Sequence, residues 1–150
     1  MTGDLAKKLG IRPGLSVCVL QAPADAVTAI RQACPKGVRW RRALGAARFD
    51  LIFFWPKARD GLAAEFARLQ SHLQPDGAIW TVIPKKAFAA KRGVRLTWEE
   101  MQAEGLRGDL VDNKDASITA TDYGTRFVIR VERRPPTPRG LAVHRPRPRS

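Results

Sequence analysis

Apolar residues fall along this chain in two patterns, unbroken runs and helical repeats, and their alternation predicts an α/β fold. Val17-Cys18-Val19-Leu20 is an unbroken run and FDLIFFW (49–55) is interrupted only by Asp50, the signature of strands in a parallel sheet covered on both faces. A third run, 78–83, ends at Pro84. Between the first two, Val27, Ile30 and Ala33 recur at helical spacing after Asp25, and Pro35 with Gly37 supplies the stop. After Asp60 the set Leu62, Phe66, Leu69 and Leu73 does the same, with its stop expected at Pro75-Asp76-Gly77. A short second strand is expected at 38–40, and only a loop or a helical turn fits between Arg41 and Ala47.

Both ends of the chain extend this pattern. Asp4 is placed to cap a lead-in helix carrying Leu5, Ala6 and Leu9, ended by Gly10, and Pro13-Gly14 turns into the first strand. Thr97 and Glu100 have capping-box spacing, so a helix should start at Trp98, bury Met101 and end at Gly105. A strand is expected at 116–120 and a turn at Asp122-Tyr123-Gly124. Thr125, Phe127, Ile129 and Val131 then alternate with Arg126, Arg130 and Glu132 as a half-buried strand. The expectation is one three-layer, Rossmann-like α/β domain over 1–132, with a mostly parallel sheet closed by a C-terminal antiparallel hairpin.

Charge changes the picture at the C-terminus. The net charge is +13, and residues 133–150 hold six arginines and no acid, nearly half of that excess. Pro and Arg dominate there with too few apolar residues to offset ordering, so a disordered basic tail is expected. Such a tail suits either weak, salt-sensitive nucleic-acid contact or plain solubilisation. The two cysteines make no disulfide framework or metal-ligand spacing. His72, expected on a helix, and His144, in the tail, offer no nucleophilic set, and no metal site is expected. No long apolar stretch follows the N-terminal charges, so the expectation is a cytoplasmic protein without membrane contact.

The order of elements resembles the core of class I S-adenosylmethionine-dependent methyltransferases with one helix and strand pair deleted. Phe49-Asp50-Leu51-Ile52 is similar to that superfamily's fourth strand, and Leu73-Gln74-Pro75-Asp76-Gly77 to the approach to its fifth. LAKKLGIRPG, FDLIFFWPK, LQPDGAIWTVIPKK and GDLVDNKDASITATDYGTRFVIR together resemble a family of short bacterial domains of unknown function that look like truncated methyltransferases. The resemblance runs from Leu5 to Arg130. It implies a cofactor site with glycines after the first strand and an acid at the end of the second. Here those places hold Gln21-Ala22-Pro23 and Arg41-Arg42, which argues against S-adenosylmethionine and for no cofactor.

Ligands in open α/β sheets bind beyond the carboxyl ends of the strands. Gln21, Lys57, Arg59, Lys85 and Lys86 fall there, four of them cations suited to a phosphate or carboxylate, or else solvated loop charges. Asp25 reads either as a substitute acid or as the N-cap of the next helix. Asp112-Asn113-Lys114 reads either as a loop reaching the same crevice or as a turn. Trp40, Trp55, Trp80 and Trp98 could stack on bases, although Trp55 and Trp80 lie in apolar runs and suit core packing. Cys18 suits a small core position. The leading expectation is a non-catalytic, methyltransferase-like domain binding an anionic small molecule or a protein partner at the crevice. The alternatives are a divergent S-adenosylmethionine-dependent methyltransferase and nucleic-acid binding by the tail.

Overall fold

The computed structural model describes residues 2–135. The expected disordered tail therefore lies almost wholly outside the described residues, which end just beyond a 3-10 turn at Val131–Arg133. Six strands form one sheet: β1 (Ser16–Leu20), β2 (Arg39–Arg41), β3 (Phe49–Phe54), β4 (Leu73–Pro84), β5 (Leu110–Ser117) and β6 (Asp122–Ile129). Their order is β2-β1-β3-β4-β6-β5. β2, β1, β3 and β4 run parallel, while β6 is antiparallel to both β4 and β5. The chain is thus a mixed α/β, Rossmann-like fold with a mostly parallel sheet and a C-terminal antiparallel hairpin.

Helices α1 (Thr2–Leu9) and α2 (Ala24–Ala33) cover one face, where Leu9, Val27 and Ile30 pack on Val17, Val19, Leu51, Phe53 and Trp80. On the other face, α3 (Leu62–Gln70) and α5 (Trp98–Gly105) bury Phe66, Leu69 and Met101 on Cys18, Ile52, Ile79 and Phe127. Two coats explain why β1, β3 and the 78–83 part of β4 are almost wholly apolar: successive side chains point to opposite faces and both are dry. Cys18, Trp55 and Trp80 are buried, as their positions in those runs imply. Helix α5 follows its capping box: the Thr97 hydroxyl accepts from the Glu100 amide, and the Glu100 carboxylate accepts from the Thr97 amide.

Several expectations are corrected. The N-terminal helix begins at Thr2, so Asp4 lies inside it rather than ahead of it. Helix α3 stops at Gln70, not at Pro75, because Ser71 and His72 close it with amide bonds to Ala67 and Leu69. His72 therefore lies in a turn, its Nδ1 2.9 Å from the Ala47 carbonyl oxygen. Strand β4 already starts at Leu73. Its register jumps from Phe49↔Leu73 to Leu51↔Ala78, so Pro75 sits in an irregular stretch where a missing donor costs no ladder bond. Gly77 is required there, since a Cβ would stand 2.8 Å from the Asp50 carbonyl oxygen.

The hairpin is shifted as well. β5 spans Leu110–Ser117, so Asp112, Asn113 and Lys114 are strand residues rather than a loop or turn. The bend falls at 118–121, where the Ile118 and Thr119 amides donate to the Asp122 carbonyl, and Asp122, Tyr123 and Gly124 belong to β6. An edge strand tolerates polar residues on its solvated side, which is why the DNKD stretch conceals β5. A short helix α4 (Lys86–Ala89) follows β4. At the opposite edge, β2 has three residues, Arg39 and Arg41 exposed on either side of a half-buried Trp40 that the Arg31 guanidinium overlies at 5.5 Å.

Candidate functional site

The parallel strands end together, and the chain leaving them walls a cleft of about 300 Å³ lined by Gln21, Pro23, Trp55, Lys57, Pro84 and Arg92. A larger hollow of about 400 Å³ lies between α3 and α5 at the other end of the sheet. Its polar side chains are already taken up, Gln70 by Asp109, Glu104 by Arg59 and Arg107 from outside the hollow, and Arg48 by the Leu73 carbonyl. The strand-exit cleft is the better candidate.

Gln21 leaves β1 with φ 61°, and among the described residues no other non-glycine has positive φ. A side chain in this left-handed region costs about 1 kcal/mol. The left-handed turn is therefore made without a glycine, at a position where the missing glycines and Pro23 argue in sequence against S-adenosylmethionine. Gln21→Gly is expected to raise the unfolding free energy by up to about 1 kcal/mol, read from the urea midpoint. An unchanged or lowered midpoint would mean that the left-handed turn carries no strain.

Asp25 does not cap α2. The N-cap is Pro23, whose carbonyl accepts from the Ala26 and Val27 amides, and Asp25 is exposed in the first turn without a capping bond. At the end of β2, where a ribose-binding acid would stand, Arg42 donates its Nε to the Val19 carbonyl at 3.2 Å. β2 is too short to pair with that carbonyl, and the guanidinium takes its place.

The densest polar cluster beside the cleft combines residues far apart in sequence. Asp122, 1% exposed, accepts from Arg92 through both carboxylate oxygens at 2.5 and 3.0 Å, from the Trp55 indole at 2.9 Å and from the Thr121 hydroxyl at 2.9 Å. Burial by itself would raise its pKa. The hydrogen bonds from Arg92, Trp55 and Thr121, with the Arg92 charge, outweigh that and hold the carboxyl below its ordinary value. Arg92 is raised in turn, chiefly by its hydrogen bond to Asp122 against the cost of burial.

Of the residues expected at the crevice from sequence, Gln21 and Lys57 line it and Asp25 stands in the adjoining turn of α2. Arg59 instead pairs with Glu104 at 2.7 Å and reaches Glu100 at 3.7 Å, so its charge is taken up by α5. Lys85 donates to the Ala120 carbonyl, and Lys86 is exposed on α4. Asp112, Asn113 and Lys114 lie on β5, bonded to Gln102, Arg126 and the Lys8 carbonyl respectively, and do not line the cleft. The pairing of Arg92 with Asp122 escaped the sequence reading, which gave Asp122 only as a turn residue, because no spacing rule links residues thirty positions apart. The one available signal was Trp55, whose indole N–H at a buried strand exit demands an acceptor.

No protein-family model matches the sequence, and no curated protein matches it. Solved structures do match. A putative type 11 methyltransferase from Sulfolobus solfataricus superposes with TM-score 0.58 at 12% identity, over 84% of this chain and 89% of that one. The N-methyltransferase NodS from Bradyrhizobium japonicum WM9 gives 0.57 at 15%, over 86% and 94%. An S-adenosylmethionine-dependent methyltransferase from Clostridium acetobutylicum ATCC 824 gives 0.54 at 8%, over 85% and 88%. The chain has the fold of the S-adenosylmethionine-dependent methyltransferases.

Proposed function

We propose that this protein is a divergent S-adenosylmethionine-dependent methyltransferase-type domain, with the donor or its demethylated product bound at the strand-exit cleft. The observation that carries the reading is Gln21. A strained, glycine-like turn kept by a non-glycine residue at the rim of a cleft is the kind of local cost that gathers at ligand sites. The fold likeness supports the same reading. The β1 exit supports the reading, since Gln21 takes the left-handed conformation that a glycine would take there. The β2 end does not, because Arg42 brings donors and positive charge where a ribose calls for an acceptor.

That mismatch has a sign. The donor carries one positive charge more than its demethylated product, and Lys57 and Arg42 stand near the exits of β3 and β2. The product should therefore bind more tightly than the donor, and the gap should narrow with added salt. Isothermal titration with both compounds at two salt concentrations tests this. Absence of heat from both compounds at millimolar concentration would overturn the reading. A second reading, a non-catalytic domain for an anionic small molecule, is favoured by Lys57 and Arg92 at the cleft.

A further inference from the structure

We infer that Arg92 forms the floor of an oxyanion subsite in the strand-exit cleft, taking a carboxylate or phosphate group of the ligand with Lys57 beside it. The inference rests on the reading that this cleft is the ligand site. It starts from an inventory of donors and acceptors around Asp122. A carboxylate offers about four lone-pair positions. Asp122 fills them with two bonds from Arg92, one from Trp55 and one from Thr121. The acid has no capacity left for a ligand.

Arg92 is in the opposite state. A guanidinium carries five N–H donors, and two of them reach Asp122. The other three have no partner among the described residues, and the side chain is 27% exposed on the cleft wall. A planar cation clamped on one edge by a buried acid and open on its others is pre-organised for an acceptor with two oxygens in one plane. Asp122, Trp55 and Thr121 act as positioning residues that fix the guanidinium, so its ordering cost is met before a ligand arrives. Lys57 adds an exposed ammonium on the same cleft. Asp25 opposes the anion, since its charge is felt at Arg92.

The experiment uses the full chain labelled with 15N and titrated with sodium phosphate or sodium acetate, ionic strength being held constant with chloride. The Arg92 Nε–H and Trp55 Nε1–H resonances are followed, and the two arms separate phosphate from carboxylate preference. A saturable shift of both resonances by at least one anion is expected, with Asp25→Asn tightening the affinity several-fold and Lys57→Gln weakening it. A drift no larger than chloride produces, or saturation unaltered in both variants, would overturn the subsite. Parallel titration with the demethylated product keeps the two proposals apart. Anion saturation without product binding keeps the subsite and removes the methyl-donor reading, and product binding without anion saturation does the reverse.

Discussion

Replacing Asp122 with alanine is expected to cost about 3–5 kcal/mol of unfolding free energy, the range for removing one partner of a buried ion pair. The carboxylate is 1% exposed and is the acceptor for Arg92, Trp55 and Thr121 at once. Without it, a buried indole N–H and a partly buried guanidinium lose the group they are fixed to. The urea midpoint should fall with an unchanged slope. A loss under about 1 kcal/mol would show that Arg92 swings out to water at little cost. Acid provides a second check. Because the folded carboxyl titrates below its ordinary value of 3.8, its stabilisation is complete above that pH and is lost as pH falls through the lower folded value. The stability gap between the wild type and Asp122→Asn should shrink over that acid range and stay constant above it.

Trp80→Ala should be comparably damaging, by about 3–5 kcal/mol. Trp80 is fully buried in the centre of β4, parallel to the Phe53 ring at a centroid distance of 6.4 Å, and its indole donates to the Leu9 carbonyl at 3.1 Å. That bond ties the C-terminal end of α1 to the sheet, so truncation both opens a cavity and frees a helix carbonyl. Trp80→Phe retains most of the ring packing and should cost much less, nearer the roughly 1 kcal/mol of a lost hydrogen bond plus a small void. Equal midpoints for the two variants would show that the indole bond, rather than packing, holds α1. Denaturation followed by far-ultraviolet circular dichroism distinguishes the cases.

How much of this was legible in the sequence depended on whether the signal was local. The helix at Trp98–Gly105 was predictable to the residue, because the Thr97 and Glu100 exchange is settled within four positions. The buried strands were legible because burial on both faces leaves few polar residues, Asp50 in β3 and Thr81 in the 78–83 part of β4, to interrupt them. Where a neighbouring strand sets the outcome, sequence pattern failed. Pro75 and Gly77 read as a helix stop, yet they belong to β4, whose irregular pairing with β3 accommodates a proline. Asp112, Asn113 and Lys114 read as a turn because β6 supplies what holds them as a strand. Gln21 and Lys57 were placed at the cleft from strand ends alone. Arg92 and Asp122 were not, since their pairing exists only after β6 lies against β4. Gln21 also shows that a composition rule about glycine describes a typical cost rather than a prohibition.

The short β2 strand affects how copies of this chain meet. Were two molecules to extend their sheets into each other along this rim, Arg39 and Arg41 of one would be driven against the same cations of the other. With few free main-chain groups to offset that repulsion, lateral growth into larger assemblies is disfavoured from this side.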